Sequence, residues 1–125
     1  MSVIGNTALS FDDEQAMLLD YARSFCADKG IPTARRHLET EHEHDESLWQ
    51  EIVAMGWTGI GLPESVGGAG LGIGAAVPVL ESMGRVLMGT PLMSSLLTAQ
   101  LLLRAGGEAS AKILESIAAG AMASV

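Results

Sequence analysis

Only one cysteine, Cys26, stands in the 125 residues, so no intrachain disulfide can form and a small fold stapled by disulfides is excluded. Aromatic residues make up 4% of the chain. The core must therefore come from Leu, Ile, Val, Met and Ala, a mixture that suits helices better than sheets. Basic residues are few as well: 7 Lys and Arg face 15 Asp and Glu, for a net charge of −8. The deficit is uneven, with 11 acidic and 4 basic residues through Glu51 and 4 and 3 after it. An acidic front half repels a phosphate backbone, which argues against nucleic acid as a partner. No stretch of about 18 apolar residues runs without polar interruption, which argues against a membrane span. The first 15 residues lack a basic region followed by a hydrophobic run, so no signal peptide is read, and a cytoplasmic location is the expectation.

What is present suits a single domain with one core. The chain is 48% hydrophobic and 18% charged with positive mean hydropathy, which argues against intrinsic disorder. Ser10 with Asp13 forms a capping-box-like start. Leu18, Tyr21, Ala22, Phe25 and Cys26 then recur at helical spacing, predicting a first helix over residues 11–28 that stops at Lys29 and Gly30 before the break at Pro32. Cys26 falls on the apolar face and reads as a small buried hydrophobe. Asp45 or Ser47 caps a second helix with Trp49, Ile52 and Val53 as its stripe. Gly56 supplies its left-handed end, and Trp57 packs back on it. Helical spacing returns between Ile73 and Met88, with Val79, Leu80, Met83, Val86 and Leu87 as the buried stripe and Glu81 paired with Arg85. Pro78 either kinks a helix begun near Ile73 or is an early position of one starting near Val77. Thr90 and Pro91 read as N-cap and first position of a helix that is apolar almost all round from Leu92 to Arg104 and ends at Gly106 and Gly107. Such a helix belongs at the centre of a bundle or under another domain. A last amphipathic helix carries Ile113, Leu114 and Ile117, pairs Glu108 with Lys112, and stops at Gly120. The expected fold is therefore all-α, a bundle of four to five helices around a Gly-rich loop.

Two segments invite chemistry. Residues 37–46, HLETEHEHDE, hold His37, His42 and His44 among carboxylates, but a zinc site needs three or four ligands in fixed geometry. The segment reads as a solvated acidic linker. Gly70 to Ala75 matches G-x-G-x-x-A, a fingerprint that signifies dinucleotide binding only after a strand and with an acidic residue about 20 positions on. Turn residues precede it here, nothing acidic lies near position 90, and no G-K-[ST] occurs. These glycines read as turn and close-approach positions. Trp57 stacking on a flavin or nucleotide is the functional alternative to its packing role.

The stretch from Leu48 to Gly72, LWQEIVAMGWTGIGLPESVGGAGLG, organises the chain. Together with Glu81, Gly84-Arg85 and the proline-started apolar helix, its Leu48-Trp49, Gly56-Trp57, Pro63-Glu64 and Gly67-Gly68 elements resemble the N-terminal helical domain of the acyl-CoA dehydrogenases. The resemblance runs from Phe11-Asp12 to Gly120, which implies that residues 1–120 form that domain and 121–125 begin a following extended segment. It implies FAD-dependent α,β-dehydrogenation of an acyl-CoA thioester, with a carboxylate base taking the α proton and flavin N5 the β hydride. It also implies electron-transfer flavoprotein as acceptor, with the remaining dehydrogenase domains or sister subunits as partners. In that family the base and most FAD and CoA contacts lie in the later domains. The resemblance therefore supplies no catalytic, cofactor-binding or metal-binding residue here and implies a domain inactive alone.

The helix after Pro91 resembles the element that helps wall the acyl pocket, which makes Ser94, Ser95 and Thr98 candidate lining residues; the alternative is that they are polar positions on a buried helix. "GRVLMGTP" with its leucine-rich continuation is similar to divergent members acting on bulky or unusual acyl-CoAs. A second class of function, a free-standing helical interaction module without catalysis, would use the same apolar helix for a partner.

Overall fold

The computed structural model describes residues 13–40 and 45–125, and among these there are five α-helices, three short 3-10 turns and no strand. The helices are α1 (Asp13–Glu39), α2 (Glu46–Ala54), α3 (Ala76–Arg85), α4 (Leu92–Ala105) and α5 (Glu108–Ala118). The expected all-α bundle is therefore observed. The Ser10 cap and the His42 and His44 pair lie outside the described residues.

The first helix departs from expectation by running through Gly30 and Pro32 to Glu39. A proline inside a helix removes one N–H and crowds the carbonyl four residues back. Just beside it, the buried Thr33 Oγ1 donates to the Lys29 carbonyl at 2.7 Å. Gly30 is not a stop but a contact point: a Cβ there would lie 2.2 Å from Cγ2 of Val86 on α3. Packing of α1 on α3, rather than local propensity, carries the helix across the proline. Its far end is tied to α2 by an ion pair of Arg36 with Asp45 at 2.9 Å and, two turns earlier on the same side, by Lys29 with Glu51 at 3.3 Å.

Asp45 is the N-cap of α2, its Oδ1 accepting the Leu48 N–H at 3.0 Å. Leu48, Trp49 and Ile52 are buried, and Gly56 ends the helix at φ 78°. Trp57 does pack back: it is buried, and Phe25 and Tyr21 of α1 meet its ring edge-on at 5.4 and 6.4 Å. Beyond it the Gly-rich loop is stitched by its own backbone. Ala69 N–H reaches the Gly59 carbonyl at 3.0 Å and Gly70 N–H the Leu62 carbonyl at 2.9 Å. Gly68 sits so close to this crossing that a Cβ would fall 2.1 Å from the Leu62 oxygen.

Pro78 occupies the first turn of α3, following a 3-10 turn at Ile73–Ala75, so its missing N–H costs no intrahelical bond. Glu81 and Arg85 pair at 3.0 Å as expected. Leu87, expected in the buried stripe, is instead 77% exposed at φ 55°. It closes α3: Met88 N–H bonds the Met83 carbonyl at 3.0 Å and Leu87 N–H the Gly84 carbonyl at 3.2 Å, a Schellman end that turns position 87 away from the core. Ile113 is likewise exposed, because α5 buries Leu114 and Ile117 and position 113 falls outside that narrow stripe. Among the described residues no ion pair joins Glu108 to Lys112.

Two buried clusters result. The larger gathers α1, α2, α3 and the start of α4 around Trp49, Ile52, Val79 and Leu92. The smaller joins Leu62 and Val66 of the loop to Ala99 of α4 and to Leu114 and Ile117 of α5. Gln100 Nε2 donates to the Gly61 carbonyl and Thr58 Oγ1 to the Ala118 carbonyl, both at 3.0 Å, fastening the loop and its approach to α4 and α5.

Candidate functional site

The helix after Pro91 is where core packing and exposure conflict most. Helix α4 begins at Leu92, one residue later than the Thr90-Pro91 pair predicts, and the Thr90 hydroxyl still accepts the Leu92 N–H at 3.3 Å. Leu92, Leu96 and Ala99 enter the core, while Met93, Leu97 and Leu101 are 53%, 59% and 55% exposed. Those three recur every four residues and so share one face of α4. The nearly all-apolar helix is thus half-covered by its own domain. Ile73, itself exposed, lies near this helix, since it and Gln100 both crowd the same side of Gly61.

At the N-terminal end of α4 lies an open groove of about 500 Å³. Gly89, Thr90, Pro91 and Ser94 form one side and Met122, Ala123 and Ser124 belong to the other. The three candidate residues take different places. Ser94 lines the groove, with its hydroxyl bonded to the Pro91 carbonyl at 3.1 Å. Ser95 is fully buried, and its Oγ accepts the Ala123 N–H at 3.1 Å. Thr98 is buried and donates to the Ser94 carbonyl at 2.8 Å, a bond back along its own helix. Ser94 alone of the three faces the groove, Ser95 holds the opposite wall, and Thr98 touches neither.

Met122 and Ser124 are groove residues that the sequence did not single out, and Thr90, expected only as a helix cap, lines the groove as well. The signal was present in the extended character of 121–125, because such a segment sends alternate side chains to opposite sides. Ala123 turns toward α4 and is half-buried, which leaves Met122 and Ser124 exposed.

No charged side chain lines the groove. The G-x-G-x-x-A segment follows turns rather than a strand, and its Gly72 opens a single 3-10 turn. Lacking a preceding strand, that segment does not form the strand-turn-helix setting that cradles a dinucleotide pyrophosphate. Among the described residues no group of three or more His, Cys, Asp and Glu gathers as a metal site. His37 sits beside Gly89 with its Nε2 buried and unpartnered. Cys26 is buried between α1 and α3, and desolvation pushes its thiol from 9.0 up to about 11, so it is a neutral packing group at ordinary pH. No helix among the described residues is long and apolar enough to cross a membrane.

The family model described as "Acyl-CoA dehydrogenase, N-terminal domain" matches residues 12–121. The chain is 33% identical over 110 residues to acyl-CoA dehydrogenase IpdE2 of Mycobacterium tuberculosis, covering 86% of this chain and 34% of that protein. It is 35% identical over 92 residues to (R)-benzylsuccinyl-CoA dehydrogenase of Thauera aromatica, covering 64% and 23%. A solved variant of the Tcur3481-Tcur3483 steroid ACAD matches with a TM-score of 0.77 and 34% identity, over 86% of this chain and 30% of that one. The chain spans about a third of the length of IpdE2 and less of the others.

Proposed function

Because this chain belongs to the acyl-CoA dehydrogenase family through the N-terminal helical domain, we propose that it forms one wall of the acyl pocket in an FAD-dependent α,β-dehydrogenation of an acyl-CoA thioester. Residues 1–120 are read as the domain, and 121–125 as the start of the segment that follows it. FAD and the catalytic base are held mainly by other parts of the enzyme, so these residues alone are inactive. The cytoplasm, electron-transfer flavoprotein as electron acceptor, and packing against the other domains or sister subunits complete the reading.

The observation that carries it is the half-covered apolar helix α4. Its Met93, Leu97 and Leu101 present one exposed apolar face, which suits cover by another part of the enzyme. The groove at the same helix is uncharged, which suits the acyl part of a substrate rather than its nucleotide part. Similarity to a benzylsuccinyl-CoA dehydrogenase and to a steroid acyl-CoA dehydrogenase supports a bulky, ring-bearing acyl group.

The test is an absorption spectrum and intact mass of the protein purified from its source. A yellow protein about three times longer than this chain, bleached by an acyl-CoA, supports the reading. A colourless protein of 125 residues would overturn it and leave a helical interaction module that uses the exposed face of α4.

A further inference from the structure

The two walls of the groove are held very differently. The Thr90 to Ser94 wall belongs to a capped helix start, fixed by the Thr90 hydroxyl and by the Ser95 N–H to the Pro91 carbonyl at 3.1 Å. The wall carrying Met122 and Ser124 belongs to a segment without regular structure. Ala121 is still fixed by the end of α5, through its N–H to the Ser116 carbonyl at 2.9 Å. After it, Ala123 N–H donates to Ser95 Oγ at 3.1 Å, which ties this segment to α4. Ser95 is wholly buried, so water does not replace its oxygen without the segment moving.

We propose that Ser95 is a positioning residue: by clasping Ala123 it sets the separation of the groove walls, and so the discrimination between ring-bearing and straight-chain acyl thioesters. This deepens the proposed function and rests on it. Ser95 touches no substrate. Its effect passes through the backbone of Ala123 to Met122 and Ser124, which flank that residue and line the groove. A serine is suited to the task because its hydroxyl accepts a backbone N–H from within a helix at no cost in volume. Alanine at this position removes the acceptor and leaves the N–H of the half-buried Ala123 without this partner.

The test uses the full-length holoenzyme with Ser95→Ala and Ser95→Thr, and with Ser116→Ala as a control outside the groove. Amide exchange at Ala123 and the kinetics of cyclohexylpropionyl-CoA and octanoyl-CoA oxidation are measured. In Ser95→Ala the Ala123 amide is expected to exchange about tenfold faster, the equivalent of losing one ordinary hydrogen bond. The KM preference between the two substrates should relax by about threefold or more while kcat stays within about twofold, because pocket shape rather than chemistry is changed. Ser95→Thr, which keeps the hydroxyl, restores both; if its extra methyl prevents folding, Ser95→Cys with its weak sulfur acceptor should fall between. Unchanged exchange at Ala123, or KM values that move by one common factor, would overturn the proposal. An enzyme that oxidises neither substrate in wild-type form, nor any other acyl-CoA, defeats the dehydrogenase reading and the specificity role with it, whereas the exchange result still decides whether the clasp exists.

Discussion

The indole Nε1 of Trp49 donates to the carbonyl oxygen of Gly120 at 3.1 Å, joining two residues 71 positions apart. Trp49 is buried on α2, and Gly120 is the left-handed residue that ends α5 at φ 114°. One bond thus connects the middle of the larger cluster to the end of the last helix. Trp49→Phe keeps most of the apolar volume and strands that carbonyl, so a loss of about 1–3 kcal/mol in denaturant unfolding is expected. Gly120→Ala should cost a similar amount through a different cause: its φ is unsuited to a side chain, and a Cβ would approach Val53 Cγ1 to 2.8 Å.

Gly30 on α1 and Gly84 on α3 stand in contrasting surroundings, the first pressed against Val86 and the second open to solvent. Gly30→Ala inserts a methyl 2.2 Å from Val86 Cγ2 and should destabilise by roughly 1–3 kcal/mol. Nothing lies within 4 Å of a Cβ at Gly84, within α3, so Gly84→Ala should stabilise by about 0.5–1 kcal/mol. The double variant Gly30→Ala with Val86→Ala should recover part of the loss. Thermal unfolding of the four proteins checks the signs.

Asp45 serves two partners, capping α2 with Oδ1 and meeting Arg36 with Oδ2. Asp45→Asn retains a good cap and loses the ion pair. Because Arg36 is mostly exposed, that loss should be about 0–1 kcal/mol and should vanish at high salt. Asp45→Ala loses both and should cost about 1 kcal/mol more at any salt. Urea titrations at two ionic strengths separate the contributions.

Burial raises the Cys26 thiol from 9.0 to about 11. The folded state therefore holds the proton at pH values where the unfolded chain releases it. The stabilisation linked to this group is complete below pH 9 and is lost as pH rises from 9 toward 11. The stability difference between the protein and Cys26→Ala should be flat up to pH 9 and then narrow. Alkylation of the native protein at pH 8 should proceed only as fast as the fold opens.

Much of this fold was legible because local rules and tertiary packing agree. Gly56 and the Glu81 to Arg85 pair behave as their local chemistry predicts, and Asp45 is the one of two cap candidates that caps α2, whereas Pro78 left two readings open that the start of α3 at Ala76 decides. The reading missed where a contact distant in sequence decides. Gly30 looks like a helix stop until Val86 is seen pressed against it, and Pro32 looks like a break until Thr33 is seen in the core. Ile113 fits the apolar period but falls just past the arc that α5 buries, and Leu87 fits it but lies beyond the end of α3, where the left-handed turn carries it outward. At the groove, the serine and threonine stripe was visible. The division of labour within it was not, because it depends on where residues 122–124 return to α4.

Leu87 has a broader implication. A leucine held in the left-handed region stands about 1–2 kcal/mol above what glycine would cost there, and with its side chain mostly in solvent, packing returns little of that. The domain therefore keeps an unused margin at one exposed turn, of a size comparable with many single destabilising substitutions. Changes to the groove that weaken the fold can be offset there, at a side chain that points to solvent and does not line the groove, so this turn is where selection or an engineer could recover stability while reshaping the pocket.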